Sequence, residues 1–170
     1  MPKNHEDESD SVIEFESSPE HYKAEACVVW CYDARFSELY DAFLDKRGFS
    51  KSKVDLVKGA GGAQALALEN GADHDTFRSQ IEKSIKLHHT EKVILMVHMD
   101  CGGYGGSKAF DNNREKEWDH HIAELEKAAS FVYDEFPDVR EIECYIADFN
   151  GMRRVRDVIR PAEAAKTAAA

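Results

Sequence analysis

The sequence predicts an α/β domain built on a mainly parallel central β-sheet flanked by helices. Two features point there. Short apolar runs alternate with amphipathic stretches, the pattern of strands and crossover helices. The runs are nearly continuous rather than alternating, as expected of strands buried on both faces. A third observation concerns where the chemistry lies: two of these runs end in clusters of thiol, imidazole and charged side chains. In open α/β sheets ligands collect at the carboxyl ends of strands, near a switch in strand order.

Residues 1–22 are rich in Glu, Asp and Ser and contain Pro2 and Pro19. They read as a flexible acidic arm, mobile or ordered only against a partner subunit, with Val12, Ile13 and Phe15 as its only candidate anchors. A single domain is expected over 23–160, and a loosely ordered Ala-rich tail over 161–170. Within the domain, Ala24–Tyr32 is a first strand. Phe36, Leu39, Tyr40, Phe43 and Leu44 then form one stripe of an amphipathic helix, which Gly48 stops as a left-handed cap. Val54–Lys58 is a short strand, followed by Gly59-Ala60-Gly61-Gly62 and a helical Ala63–Leu68. Asp75 is the expected N-cap of a helix carrying Phe77, Ile81 and Ile85. Val93–Val97, the most hydrophobic run, should be the central strand, leading into the glycine-rich loop 102–106. A long helix follows, with Trp118, Ile122, Leu125, Ala129, Val132 and Phe136 on its buried face and Pro137 at its end. Val139–Phe149 is a last strand and Asn150-Gly151 a tight turn, after which Met152–Ile159 either pairs back or begins a short helix.

Composition narrows the function. The chain has 170 residues, suited to one domain, and a formal net charge of −11, which repels nucleic acid and anionic membrane surfaces. No apolar run approaches the roughly 20 residues that span a bilayer, and the acidic start lacks the features of a signal peptide. A cytoplasmic protein is expected, and with it reduced cysteines. Of the four cysteines, Cys27 and Cys144 lie inside apolar runs and read as small buried hydrophobes.

The other two stand apart. Cys31-Tyr32-Asp33-Ala34-Arg35 and His98-Met99-Asp100-Cys101-Gly102 each follow a predicted strand. Cys31, His98 and Cys101 offer two thiolates and one imidazole, a zinc set of the catalytic type that keeps a fourth position open. A closed structural site with Cys27 as fourth ligand fails on geometry. Four residues along a strand span roughly 13 Å, whereas ligands of one zinc lie within about 2.0–2.3 Å of it. The fourth ligand is then water or Asp33. Asp33 and Arg35 admit two readings, an ordinary ion pair at a helix start or a functional pair; their place directly after Cys31 favours the second. Arg35 would keep the Asp33 carboxylate ionised and oriented. Asp100, between two ligands, has an open role. His88-His89 and His120-His121 should each have one packed and one solvent-facing member. The GAGG segment lacks the lysine and hydroxyl of a phosphate loop.

Together, C-x-D-x-R after one strand, a glycine-rich turn after the next and H-x-x-C-G after a third resemble the β-class carbonic anhydrases. The resemblance covers about residues 24–152. Lys58-Gly59-Ala60-Gly61-Gly62 corresponds to the family's R-N-A-G-N segment, with Lys58 and Gly59 in place of its usual Arg and Asn, and Cys144–Gly151 to its closing strand and turn. The resemblance implies that Cys31, His98 and Cys101 bind Zn2+ and that Asp33 and Arg35 form the catalytic dyad. It implies reversible hydration of CO2 to bicarbonate and a proton by zinc-bound hydroxide, more active on the alkaline side because thiolate ligands raise the pKa of the water. Gly61, Gly62 and Gly102 would help position the substrate. It further implies a homodimer or larger homo-oligomer. Alternatives within the same machinery are hydrolysis of carbonyl sulfide or carbon disulfide, and a zinc-binding homologue without catalysis.

Overall fold

The computed structural model describes residues 12–161. The tail expected over 161–170 therefore lies, apart from Pro161, outside the described residues, as does the arm up to residue 11. Five strands form one sheet: β1 (Ala26–Trp30), β2 (Val54–Lys58), β3 (Lys92–His98), β4 (Glu141–Asp148) and β5 (Gly151–Ile159). Their order is β2-β1-β3-β4-β5; β1, β2, β3 and β4 are parallel, and β5 runs antiparallel to β4. The chain leaves β1 toward one edge and returns on its other side as β3. The switch in strand order therefore falls between β1 and β3, and β3 is the central strand, as its hydrophobicity requires.

Alternation along the strands divides the core in two. Ala26, Val28 and Trp30 face a cluster with Phe36, which caps α1 (Ser37–Arg47), and Tyr40, Phe43 and Leu44, which lie on it, together with Ile94, Met96 and Tyr145. Cys27 and Val29 face the opposite cluster, which includes residues of α2 (Gln64–Ala67), α3 (Ala72–His88) and α4 (Arg114–Glu135). One helix thus covers one face and three cover the other. Gly48 ends α1 with φ 72°, the left-handed cap expected of it. Cys27 and Cys144 are fully buried among apolar neighbours, and burial pushes both thiols up to about 12.

Three expectations need correction. Helix α3 begins at Ala72, capped by Gly71 rather than by Asp75; Asp73 and Asp75 instead lie in its first turn, where carboxylates complement the helix dipole. Val12, Ile13 and Phe15 have largely exposed side chains. A contact that holds the end of this segment comes from Tyr22, whose hydroxyl donates to Asp55 at 2.6 Å and whose ring lies 4.3 Å from that of His88. The buried face of α4 is rotated at its N-terminal half: Glu117 and His121 are fully buried, while Trp118 and Ile122 are only partly so. Met152–Ile159 pairs back on β4, resolving that choice in favour of a strand. Among the described residues, no helix is long and apolar enough to cross a membrane.

Candidate metal centre

Strand β1 ends at Trp30 and hands Cys31 to the loop; β3 ends at His98, and Cys101 follows three residues later. Two turns that only glycine permits close the space between them. A Cβ on Gly62 (φ 56°) would lie 2.4 Å from the Met96 carbonyl oxygen and 3.0 Å from the Cys31 amide nitrogen. A Cβ on Gly103 would lie 2.5 Å from the amide nitrogen of Gly61. The loops after β2 and β3 are therefore packed backbone to backbone beside the two thiols.

All three expected ligands meet. The ligand atoms of Cys31, His98 and Cys101 lie within 4.8 Å of one another, and all three side chains are buried. The two sulfurs are 3.9 Å apart; tetrahedral zinc with bonds of about 2.3 Å places two sulfurs about 3.8 Å apart. His98 supplies the decisive test of fit. Its Nδ1 is 2.9 Å from the Met99 carbonyl oxygen, which can only accept, so the proton sits on Nδ1. Its Nε2 then offers a bare lone pair, fully buried and without a hydrogen-bond partner among the described residues. Such an orphaned acceptor beside two sulfurs is the arrangement of a metal ligand whose outer nitrogen is fixed by a carbonyl. Trp30 and Phe36 hold the ring in place, with centroids at 5.7 and 4.5 Å.

The cysteines are electronically prepared for a cation. The Cys31 thiol is pushed down to about 4, first by its hydrogen bond with Cys101 and also by His98 and the amides of Asp33 and Gly61. The same bond, with burial, pushes Cys101 up. Metal ligation requires both sulfurs as thiolates, so a divalent metal bound here would displace thiol protons.

Asp33 caps a turn and also stands beside the ligand cluster. Its Oδ1 accepts the Arg35 amide at 3.0 Å, capping a single 3₁₀ turn over Ala34–Phe36. Its Oδ2 also stands 3.9 Å from His98 Nε2, at the edge of the ligand cluster. Arg35 grips this carboxylate: Nε donates to both oxygens at 3.1 and 3.0 Å, and Nη2 to Oδ2 at 2.7 Å. The guanidinium holds the Asp33 pKa down at about 2. Asp100, whose role was open, is Arg35's second partner. Nη1 donates to its Oδ2 at 3.0 Å and Nη2 to its carbonyl oxygen at 2.9 Å. Of the three glycines expected at the substrate, Gly61 and Gly62 are buried beside the ligands, while Gly102 is exposed and a Cβ there would meet nothing within 4 Å.

Sequence reasoning missed Glu117 and Ser107. Glu117 accepts the Asp100 amide at 2.6 Å and the Ser107 hydroxyl at 2.8 Å. The available signal was a glutamate four residues before a buried histidine, on a helix face otherwise apolar. The histidine pairs divide as expected, His88 and His121 inward, His89 and His120 exposed.

The comparisons agree with this geometry. The family model described as "Putative carbonic anhydrase" matches residues 21–156. Uncharacterised proteins of Rickettsia bellii and Rickettsia conorii are 27% and 28% identical to the chain, each over 76% of its length and over 82% and 73% of theirs. The β-carbonic anhydrase isoform I of Trichomonas vaginalis shares the fold with TM-score 0.56 at 16% identity, covering 83% of this chain and 87% of that one. The carbonic anhydrase of Glaciozyma antarctica does so with TM-score 0.53 at 18% identity, covering 81% and 85%. With a family model spanning most of the domain, and a buried Cys-His-Cys cluster at the sheet's switch point, this chain belongs to the putative carbonic anhydrase family.

Proposed function

We propose that the protein is a zinc carbonic anhydrase that interconverts CO2 and water with bicarbonate and a proton. The observation that carries this reading is the Asp33 carboxylate, clamped by Arg35 and held 3.9 Å from the unpartnered Nε2 of His98. Cys31, His98 and Cys101 would hold the metal, which when bound is a Lewis acid that makes water nucleophilic near neutral pH.

The remaining work falls to the chain's own groups. Asp33, with its pKa near 2, is ionised throughout the physiological range and can only accept a hydrogen bond. It therefore serves to orient a water O–H, turning an oxygen lone pair toward carbon dioxide, and not as a proton donor. Arg35 fixes the carboxylate through three N–H bonds and is itself fixed by Asp100, so the acceptor is in place before substrate arrives. The Phe149 ring lies 5.3 Å from the Arg35 guanidinium and 5.3 Å from Phe36, giving an apolar flank suited to a small uncharged substrate. The working form is taken as a homodimer or larger homo-oligomer. Tyr32 and Phe149, 65% and 63% exposed beside the dyad, support this as apolar surface for a second copy to cover.

Stopped-flow CO2 hydration across pH, on protein with its zinc counted, tests the reading beside Asp33→Ala. About one zinc per chain is expected, with activity that rises toward alkaline pH and falls about a hundredfold or more in the variant. A full zinc complement with no hydration at any pH would refute it.

A further inference from the structure

We propose that Glu117, near the start of α4, is a positioning residue that sets the Asp33–Arg35 pair through the backbone of Asp100; this rests on the carbonic anhydrase reading of the site. Glu117 is 1% exposed, and a carboxylate is buried at high cost unless its oxygens are fully used. His121 Nε2 is 3.7 Å away, beyond hydrogen-bond distance. Both carboxylate oxygens are committed instead to the loop after β3, one to the Asp100 amide at 2.6 Å and the other to the Ser107 hydroxyl at 2.8 Å. Those are charge-assisted bonds, the strong kind.

The loop needs them because Asp100 sits at φ 55°, in the left-handed region that few non-glycine residues adopt. Only when so turned does Asp100 present its carbonyl oxygen and its Oδ2 together to Arg35, while its Oδ1 accepts the Ser107 amide at 3.0 Å. If Asp100 relaxed to an ordinary conformation, Arg35 would lose both of these bonds. Asp33 would be its one remaining hydrogen-bond partner among the described residues, and the two side chains, both partly open to solvent, could swing together away from His98 Nε2. Among the described residues, the hydrogen bonds of the Glu117 carboxylate go to the Asp100 amide and the Ser107 hydroxyl, and not to the metal-ligand side chains or Asp33. Its effect reaches the carboxylate along a continuous path: Glu117, Asp100, Arg35, Asp33.

The test is Glu117→Gln, which keeps the shape but replaces one acceptor oxygen with a donor. Exchange of the Arg35 Nε proton, followed by NMR in metal-free and zinc-loaded protein, should speed up about tenfold. Zinc affinity, by chelator competition, should change less than the roughly 10–100-fold that follows loss of a ligand's own supporting partner. The turnover number should fall about tenfold with little change in KM, as for a group that acts only in the transition state. In an Arg35→Ala background the same substitution should cause no further loss. Unchanged Arg35 exchange, a loss restored by added zinc, or an undiminished loss in the Arg35→Ala background would each overturn the proposal. If Glu117→Gln does not fold, Ser107→Ala, which removes one bond to the carboxylate, carries the same comparison. Absence of CO2 hydration in the wild type would refute the enzymatic reading alone, and the Arg35 exchange measurement would still decide the role of Glu117.

Discussion

Gly102 and Gly103 are adjacent residues of one loop, and alanine at each should have opposite consequences. Neither has a left-handed φ, so backbone strain is not at issue at either position. A Cβ on Gly102 meets nothing within 4 Å; one on Gly103 would lie 2.5 Å from the Gly61 nitrogen, 2.7 Å from its Cα and 3.0 Å from the carbonyl carbon of Ala60. These are backbone atoms, which cannot rotate aside. Reaching an ordinary contact of 3.4 Å requires the two loops to part by about 0.9 Å. Overpacking of this kind destabilises by about 1–3 kcal/mol. The larger effect should be on the site, because the amide of Gly61 faces both thiols and that of Gly103 faces Cys101. A displacement near 1 Å in a positioned site can lower rates about a hundredfold. Denaturant unfolding, chelator competition for zinc and CO2 hydration should therefore all single out Gly103→Ala, with Gly102→Ala close to wild type. Equal behaviour of the two variants, in either direction, would refute the backbone-to-backbone packing of these loops.

Other outcomes follow from the same geometry. Glu143 is buried 1% exposed; although burial opposes ionisation, Arg47, Tyr145 and Lys92 hold its pKa at about 2 against an ordinary 4.5. A depressed carboxylate pKa contributes stability above pH 4.5 that is lost as pH falls toward 2. Circular dichroism in acid should show that loss, and Glu143→Gln should flatten it while destabilising the protein by about 3 kcal/mol at neutral pH, because Arg47 loses its carboxylate partner while Lys92 keeps Glu141 at 2.9 Å. Cys27→Ala should lower stability by about 1 kcal/mol through a small cavity and leave the zinc content unchanged, whereas Cys31→Ser should deplete zinc; zinc lost from the Cys27 variant would revive a four-ligand site.

Much of this was legible because local chemistry and position coincide. Thiols and an imidazole clustered at the ends of apolar strands have little packing purpose, so Cys31, His98 and Cys101 are legible from the sequence alone. Strands β1 and β3 were legible for a related reason, since their nearly continuous apolar runs fit a sheet covered on both faces; β5, mostly polar, is settled as a strand only by its pairing with β4. What escaped depends on partners distant in sequence. Asp100 is bound to Arg35 across 65 residues, and Glu117 to the Asp100 amide across 17. Neither contact leaves a local pattern. Reading the buried stripe of α4 from apolar residues alone places Trp118 inside, whereas Glu117 is the buried neighbour, its carboxylate accepting the Asp100 amide. The start of α3 was misplaced for a simpler reason: Asp75 is a good cap by type, but Gly71, at φ 125°, already turns the chain into the helix.

The most direct test of the central claim is the zinc-edge X-ray absorption spectrum of the zinc-loaded protein, with Cys31→Ser beside it. Two sulfur scatterers at about 2.3 Å, with nitrogen or oxygen scatterers at about 2.0–2.2 Å, are expected in the wild type. In the variant, one sulfur and most of the zinc should be lost. Three or four sulfurs, or a spectrum indifferent to Cys31, would contradict a centre built from Cys31, His98 and Cys101.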